Sequence, residues 1–376
     1  MDNILLSAAL AFLITFFAIP VIIQIAKSKK LFDEPDERKV HKTVIPTLGG
    51  LGIFAGFIVA VLLGVPSTNN PEFQYFVAAA IVIFFLGIKD DIMILSASKK
   101  FIGQLIAAAI IIHFGGIQIT NMHGFMGIYG LPPVAGIVLS FFTIIVITNS
   151  FNLIDGVDGL AGTLGLITTI ALGAYFLVVG QTAYAVLAFS LTGSIIGFLI
   201  YNFSPAKIFM GDTGSLLLGL INSILVIKFI NLAATPGSHL PIQASPAVGF
   251  AIMIIPLFDT LRVFGLRILD RRSPFSPDRN HIHHYLLDLG FSHKKITFTC
   301  ALVTIIFIAF AFYFRNADTT LMIGTILAVS TGLTALIYYS RRKIISRKTY
   351  MQVAGEKEII KSHKILTLIS DTVEVD

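Results

Sequence analysis

Apolar residues run through this chain in long unbroken blocks, not in the alternation of a half-buried strand or the narrow stripe of an amphipathic helix. A helix needs roughly 20 apolar residues to cross about 30 Å of hydrocarbon. Eleven blocks approach that length, near residues 3–26, 48–65, 73–88, 99–117, 132–148, 158–179, 182–203, 213–232, 247–268, 295–314 and 319–340. They predict an all-α polytopic integral membrane protein with about eleven transmembrane helices. The first block carries Asp2 where a signal peptide has basic residues, so a retained helix is expected there. No repeat of 20–50 residues is evident.

Eleven crossings place the termini on opposite sides, and the basic residues choose the orientation. With the N-terminus outside, the inner loops collect Lys27, Lys29, Lys30, Arg38, Lys39, Lys42, Lys89, Lys99, Lys100 and Lys207. The loop after the ninth block and the C-terminal tail are basic as well, while Lys228 and Arg315 fall toward the outside. The C-terminus is therefore expected in the cytoplasm. Residues 1–340 read as a transmembrane catalytic domain with cytoplasmic loops, and 341–376 as a cytoplasmic tail without assigned role. In that tail the weak alternation over 355–376 fits a short strand pair or a helix.

Composition excludes other classes. Hydrophobic residues make up 55% of the chain and charged residues 13%, against about 25% charged in a soluble domain. Mean hydropathy is +0.86. Neither a soluble globule nor a disordered chain has this balance. The single cysteine, Cys300, excludes a disulfide framework. The pI near 9.3 follows from topology and does not point to nucleic acid.

Acids at a membrane edge are costly and are functional candidates by default. Four groups stand out: Asp90-Asp91 at the end of the third block, Asn152 with Asp155 and Asp158 in Asn-Leu-Ile-Asp-Gly-Val-Asp-Gly, Asp212 in Phe-Met-Gly-Asp-Thr-Gly-Ser, and Asp278-Arg279-Asn280-His281-Ile282-His283-His284. All four lie on the inner side under the orientation above. Hard cations such as Mg²⁺ take one or two carboxylates plus phosphate oxygens, so the pattern suits a cation and phosphate site. Asp155 and Asp158, at i and i+3, would share a helix face if a helix starts there. The segment 211–215 can offer helix N-terminal N–H groups to an anion. The bland readings are a solvated helix end for Asp90-Asp91, a polar turn for 149–158, an N-cap for Asp212 and a solvated loop for the histidines. His-x-His-His is not a structural zinc spacing. Asp259 and Arg262 read as a structural ion pair at a helix end.

At these residues the chain resembles the polyprenyl-phosphate N-acetylhexosamine-1-phosphate transferase superfamily, glycosyltransferase family 4. The resemblance covers about residues 1–340. It runs through Pro46-Thr47-Leu48-Gly49-Gly50, Asp90-Asp91, Lys100-Phe101-Ile102-Gly103-Gln104, the 152–159 segment, Phe209-Met210-Gly211-Asp212 and the 278–284 segment. It implies transfer of an N-acetylhexosamine-1-phosphate, most simply GlcNAc-1-phosphate, from a UDP-sugar to undecaprenyl phosphate. UMP is released, Mg²⁺ is the cofactor with Mn²⁺ able to substitute, and the product starts a cell-envelope polysaccharide. It further implies Asp212 and Asp155 as metal ligands, and Asp90, Asp91, Asp155, Asp158 and His281 as catalytic. Lys42, Lys100, Asn152, Phe209, Arg279, His283 and His284 would bind substrate, with Phe209 stacking on uracil. The bacterial inner membrane, a cytoplasmic active site and a homodimer are the corresponding expectations. His-Ile-His-His matches the GlcNAc-1-phosphate type, whereas peptide-bearing MurNAc enzymes carry three consecutive histidines. The rival classes are the phospho-MurNAc-pentapeptide translocase type, a membrane transporter, and an intramembrane aspartyl protease. A transporter would place ionisable groups at the bilayer midplane instead of one edge.

Overall fold

The computed structural model describes residues 2–29, 32–33, 45–66, 68–234, 239–273 and 279–372, and beyond residue 346 the backbone course alone. Lys42 and Asp278, both singled out above, lie outside the described residues. The chain forms α1 (Asp2–Lys29), a short pair β1 (Phe32–Asp33) and β2 (Ile45–Pro46), α2 (Gly49–Gly64), α3 (Phe73–Ile92) and α4 (Ala97–Ala109). A π-helical turn (Ile110–Phe114) extends α4, and the antiparallel hairpin β3 (Asn121–Phe125) and β4 (Ile128–Gly130) follows. Then come α5 (Pro133–Ile154), α6 (Leu160–Val178), α7 (Thr182–Asn202), α8 (Gly211–Ala233), α9 (Ser245–Ile252) and α10 (Ile254–Leu269). The last elements are α11 (Ile282–Asp288), α12 (His293–Tyr313) and α13 (Thr319–Thr372).

Among the described residues, eight helices are long and apolar enough to cross a membrane, and the bent pair α9–α10 makes a ninth. The protein is an all-α, multi-pass membrane protein. The eleven blocks of the sequence exceed that count for a physical reason. The 16 residues of α2 rise only about 24 Å at 1.5 Å each, short of the hydrocarbon thickness. The block at 73–88 lies on α3, which carries Lys89, Asp90 and Asp91 in its last turn.

The stretch expected as one span over 247–268 is two helices meeting at 89°. Pro256 explains the break: it has no N–H for the Ile252 carbonyl, and its ring displaces that carbonyl. The chain turns at Met253, where its amide bonds instead to the Phe250 carbonyl at 3.2 Å. In the tail, the helix alternative prevails over the strand pair, since α13 continues unbroken to Thr372.

The helices surround α8, whose apolar window is 83% buried against 22% for the membrane part of α13. Helix starts use local chemistry. Pro132-Pro133 opens α5, where the missing N–H costs nothing. Ser292 caps α12 by accepting from the Lys295 amide at 3.4 Å, and Asp318 accepts from Leu321 at 2.8 Å ahead of α13. The hairpin β3–β4 holds this same end of α13, where Thr319 donates to the His123 carbonyl at 2.7 Å. At the opposite end of the bundle the termini of α2 through α8 come together and carry the acidic motifs.

Candidate active site

The floor of this site is the first turn of α8. A helix start leaves unpaired N–H groups and a partial positive charge. Here a carboxylate from another helix takes them: Asp91 Oδ1 accepts from the Asp212 amide at 2.7 Å, and Oδ2 accepts from the Thr213 amide at 3.0 Å and the Thr213 hydroxyl at 2.5 Å. The N–H groups that the 211–215 segment was expected to offer an anion therefore meet one of the protein's own. Asp91, expected among the reacting groups, has both oxygens engaged in holding α3 to α8.

Close backbone approach makes this possible. Gly211 has φ +71°, a left-handed conformation open to glycine. A Cβ on Gly87 would lie 2.4 Å from Thr213 Cα, and one on Gly50 2.1 Å from the Gly214 nitrogen. The 46–50 segment joins the same seam: Phe209 donates its amide to the Pro46 carbonyl at 2.7 Å, and Gly49 and Gly50 donate to the Phe209 and Met210 carbonyls at 2.9 and 2.8 Å. This pairing holds half-buried Phe209 just ahead of Asp212.

Above that floor the charged groups converge. Lys100 Nζ, at the start of α4, lies 2.5 Å from Asp90 Oδ2 and 2.6 Å from Asp212 Oδ2. The other oxygens are also taken: Asp90 Oδ1 accepts from the Leu95 amide at 2.7 Å, and Asp212 Oδ1 accepts from Asn152 Nδ2 at 2.9 Å. Asn152 also donates to Ser215 Oγ at 3.0 Å. Gln104 and Asn149 form a reciprocal amide pair between α4 and α5, at 2.6 and 3.4 Å. Side chains here keep contact with water: Lys100 is 26%, Asp212 21% and Asp90 10% exposed.

Asp155 and Asp158 do not share a helix face. They lie in the turn between α5 and α6, because Gly156 and the left-handed Gly159 interrupt the helix. Desolvation first, and then the like charges of Asp212, Asp91 and Asp158, push the Asp155 carboxyl well above the usual carboxylate range. Asp158 turns elsewhere: Oδ2 accepts from the Ala206 amide at 3.1 Å, and Oδ1 lies 3.2 Å from His293 Nδ1 at the start of α12. Asn202 completes that corner by accepting from the Gly159 amide at 2.9 Å.

The histidine segment closes the site from α11. A Cβ on Gly156 would lie 2.8 Å from His283 Nε2, so the imidazole rests on the Asp155-Gly156 turn. The rings of His281 and His283 stack at 5.6 Å, and those of His283 and His284 are 4.2 Å apart. Burial, reinforced by His284 and partly offset by Asp259, pushes His283 down to about 3. Burial, with His281 and Arg279 nearby, lowers His284 too. Both shifts disfavour the charged form of the ring. Arg279 is exposed. His281 is buried, with Nδ1 2.9 Å from Asp259 Oδ2. Among the described residues, no three His, Cys, Asp or Glu side chains are arranged to hold a metal by themselves.

Known proteins are similar to this chain over most of its length. Residues 73–230 match the model of glycosyl transferase family 4. A Bacillus subtilis protein described as a probable undecaprenyl-phosphate N-acetylglucosaminyl 1-phosphate transferase is 33% identical over 327 residues, covering 84% of this chain and 87% of its own. The chain belongs to glycosyl transferase family 4. Decaprenyl-phosphate N-acetylglucosaminephosphotransferase of Mycobacterium tuberculosis (strain ATCC 25618 / H37Rv) is 33% identical over 365 residues, with 88% of each chain covered. Undecaprenyl-phosphate alpha-N-acetylglucosaminyl 1-phosphate transferase of Escherichia coli (strain K12) is 32% identical over 290 residues, covering 74% of this chain and 76% of that one.

Within this family 4 chain, the matched segment carries every acidic motif except the one at 278–284. Sequence reasoning missed Ser215, Asn202, Gln104 and His293 as partners. Their bonds join positions about 40 to 140 residues apart, a separation at which spacing carries no signal. Ser215 alone had a local cue, four residues after Gly211, whose carbonyl its hydroxyl meets at 3.0 Å.

Proposed function

We propose that this family 4 protein transfers N-acetylglucosamine-1-phosphate from UDP-GlcNAc to undecaprenyl phosphate in the bacterial inner membrane, with its site on the cytoplasmic face. The observation that carries the reading is the single hydrogen-bonded cluster of Asp90, Lys100, Asn152 and Asp212 at a membrane-edge helix terminus. The names of the relatives supply the substrate class. Basic residues gather at the same end of the bundle, including Lys27, Lys89, Lys207, Arg271 and Lys294, which supports the cytoplasmic orientation.

The lipid phosphate attacks the β-phosphorus of the nucleotide sugar. A new P–O bond forms there, the bond to the bridging α–β oxygen breaks, and UMP leaves. A phosphate monoester has its second pKa near 6, so the attacking oxygen is already largely ionised. The protein's task is positioning and charge neutralisation. Asp90 orients the acceptor through Lys100. Lys100 moves from the carboxylates to the phosphates as they arrive, a swap between ion-pair partners of like charge. Asn152 holds Asp212 in place, Phe209 offers its ring to uracil, and His281 contacts the pyrophosphate.

The donor set fits Mg²⁺ shared with substrate and does not fit an all-protein metal cage. It consists of hard carboxylate oxygens, with a lysine ammonium between two of them as a single-charge stand-in. Asp212 and Asp155 would hold the ion, and its chemistry when bound is to neutralise the pyrophosphate. Mn²⁺ takes the same oxygen ligands.

The test is UMP release by the purified protein with undecaprenyl phosphate and UDP-GlcNAc. Release above that of Asp212→Asn, with a lipid-linked sugar phosphate formed, supports the reading. Saturable uptake of UDP-GlcNAc into proteoliposomes without UMP would replace it with a transporter. A panel of UDP-N-acetylhexosamines identifies the preferred donor.

A further inference from the structure

Asp259 belongs to none of the acidic motifs above, and by spacing it pairs only with Arg262. The structure gives it more partners. It lies on α10, just after the break at Met253, and is 1% exposed. Oδ1 takes Arg262 Nη2 at 2.7 Å. Oδ2 lies 2.9 Å from His281 Nδ1. The Ile282 amide bridges both oxygens at 3.1 and 3.2 Å. Arg262 donates in addition to the Asn280 carbonyl. Residues 280–282 are thus pinned by one helical turn of α10.

A structural ion pair needs only Arg262. The second oxygen is directed at an imidazole that is itself 4% exposed and stacks on His283 against the Asp155-Gly156 turn. An ionised carboxylate can only accept, so Nδ1 carries the proton and Nε2 is left on the opposite side of the ring. The partner of one ring nitrogen sets the tautomer and orientation of the other. We propose that Asp259 is a positioning residue that acts through His281. It fixes the ring with Nδ1 protonated, so that Nε2 meets the substrate as a hydrogen-bond acceptor for a protonated phosphate oxygen or for a water bound to the phosphates. The proposal rests on the reading above in which His281 contacts the pyrophosphate.

Kinetics of Asp259→Asn, His281→Ala and the double variant in purified protein test it. Asn keeps the shape but can turn its amide to the ring and select the other tautomer. Asp259→Asn lowers kcat by about 10- to 100-fold, as outer partners of reacting groups do, with the KM for UDP-GlcNAc within about twofold. In the His281→Ala background the same change costs less than about twofold, because the group it acts through is gone. Asp259→Glu recovers part of the loss. Equal losses in both backgrounds would mean that Asp259 only braces α10 and α11, and would overturn the proposal. So would an unchanged kcat in Asp259→Asn. A fully active His281→Ala protein would instead remove the reading of His281 itself. Nitrogen-15 histidine NMR needs no Asp259 variant. Neutral His281, assigned by its loss in His281→Gln, shows the Nδ1-protonated tautomer in wild-type protein, and the opposite tautomer overturns the proposal whether or not the Asp259 variants fold.

Discussion

The carboxylates at the ends of α3, α5 and α8 and the carboxylate within α10 live under opposite electrostatic conditions. Around Lys100, Asp90 and Asp212 share one ammonium, while Asp155 stands close by with its carboxyl driven up by burial and by its neighbours. At α10, the single carboxylate of Asp259 meets a guanidinium, an imidazole and an amide. Among the described residues the first region is short of positive charge, and it is open to water, which suits a place where ions and phosphates come and go. The second is balanced and dry, which suits a place that sets a geometry and keeps it. Contact with acids alone does not distinguish a reacting centre from a brace; the balance of partners does.

The comparison can be broken most forcefully at Asp212. Asp212→Asn should lower kcat for UMP release by about 10²- to 10³-fold, the scale of losing one preorganised electrostatic contact, with extra Mg²⁺ restoring only part. Near-wild-type turnover at ordinary Mg²⁺ would mean the open region is not where the charge is handled.

Next comes the adjacent pair within that region. Asp91→Ala removes the three acceptor bonds at the start of α8 and should cost about 2 kcal/mol of stability, in the range of a lost helix cap with buried donors left unpaired. Asp90→Asn should leave the unfolding midpoint nearly unchanged while lowering kcat. Thermal unfolding in detergent, run beside the activity assay, reads both. Equal unfolding losses in the two variants would dissolve the contrast between them.

The balanced region has its own signature in acid. His283 is neutral when folded, with its pKa pushed down to about 3 from the ordinary 6.5. The folded protein therefore binds fewer protons than the unfolded chain between those values. The stability from the neutral ring is fully present above about pH 6.5 and is lost as the pH falls toward 3. At pH 5 the loss should be about 2 kcal/mol. A His283→Gln protein should show a flatter decline of its unfolding midpoint from pH 7 to 5, and an unchanged slope would show that the ring titrates alike in the folded and unfolded chain.

The smallest effect is expected where α11 meets α13. Arg341 Nε lies 2.7 Å from Asp288 Oδ2 and its guanidinium 4.6 Å from the Tyr285 ring. The pair is partly exposed, so Arg341→Ala should cost no more than about 1 kcal/mol. A large drop in kcat from this change would mean that the brace extends to α13.

Much of this was legible in the sequence. Block lengths and basic loops give a helical membrane protein, and the described residues of the four acidic motifs meet at one end of the bundle. The bend between α9 and α10 was not read, although Pro256 stands at the break, because apolar content hides a change of direction. The face assigned to Asp155 and Asp158 failed for a local reason: Gly156 and Gly159 end the helix that the spacing presumed. The fates of Asp90 and Asp91 could not be separated at all. Neighbours in sequence point to different sides of a helix, and the partners that distinguish them lie on α8, more than 100 positions away. The same holds for Asp259, whose local match to Arg262 concealed its bond to His281.

The seam where Gly50 and Gly87 meet the first turn of α8 bears on how this enzyme can be altered. Main chain packs against main chain there, and a single methyl group has no place to go. Attempts to broaden the range of sugars accepted should therefore leave these glycines untouched and diversify exposed positions such as Arg279. Substitutions in the seam would eliminate the fold before they could change what it recognises.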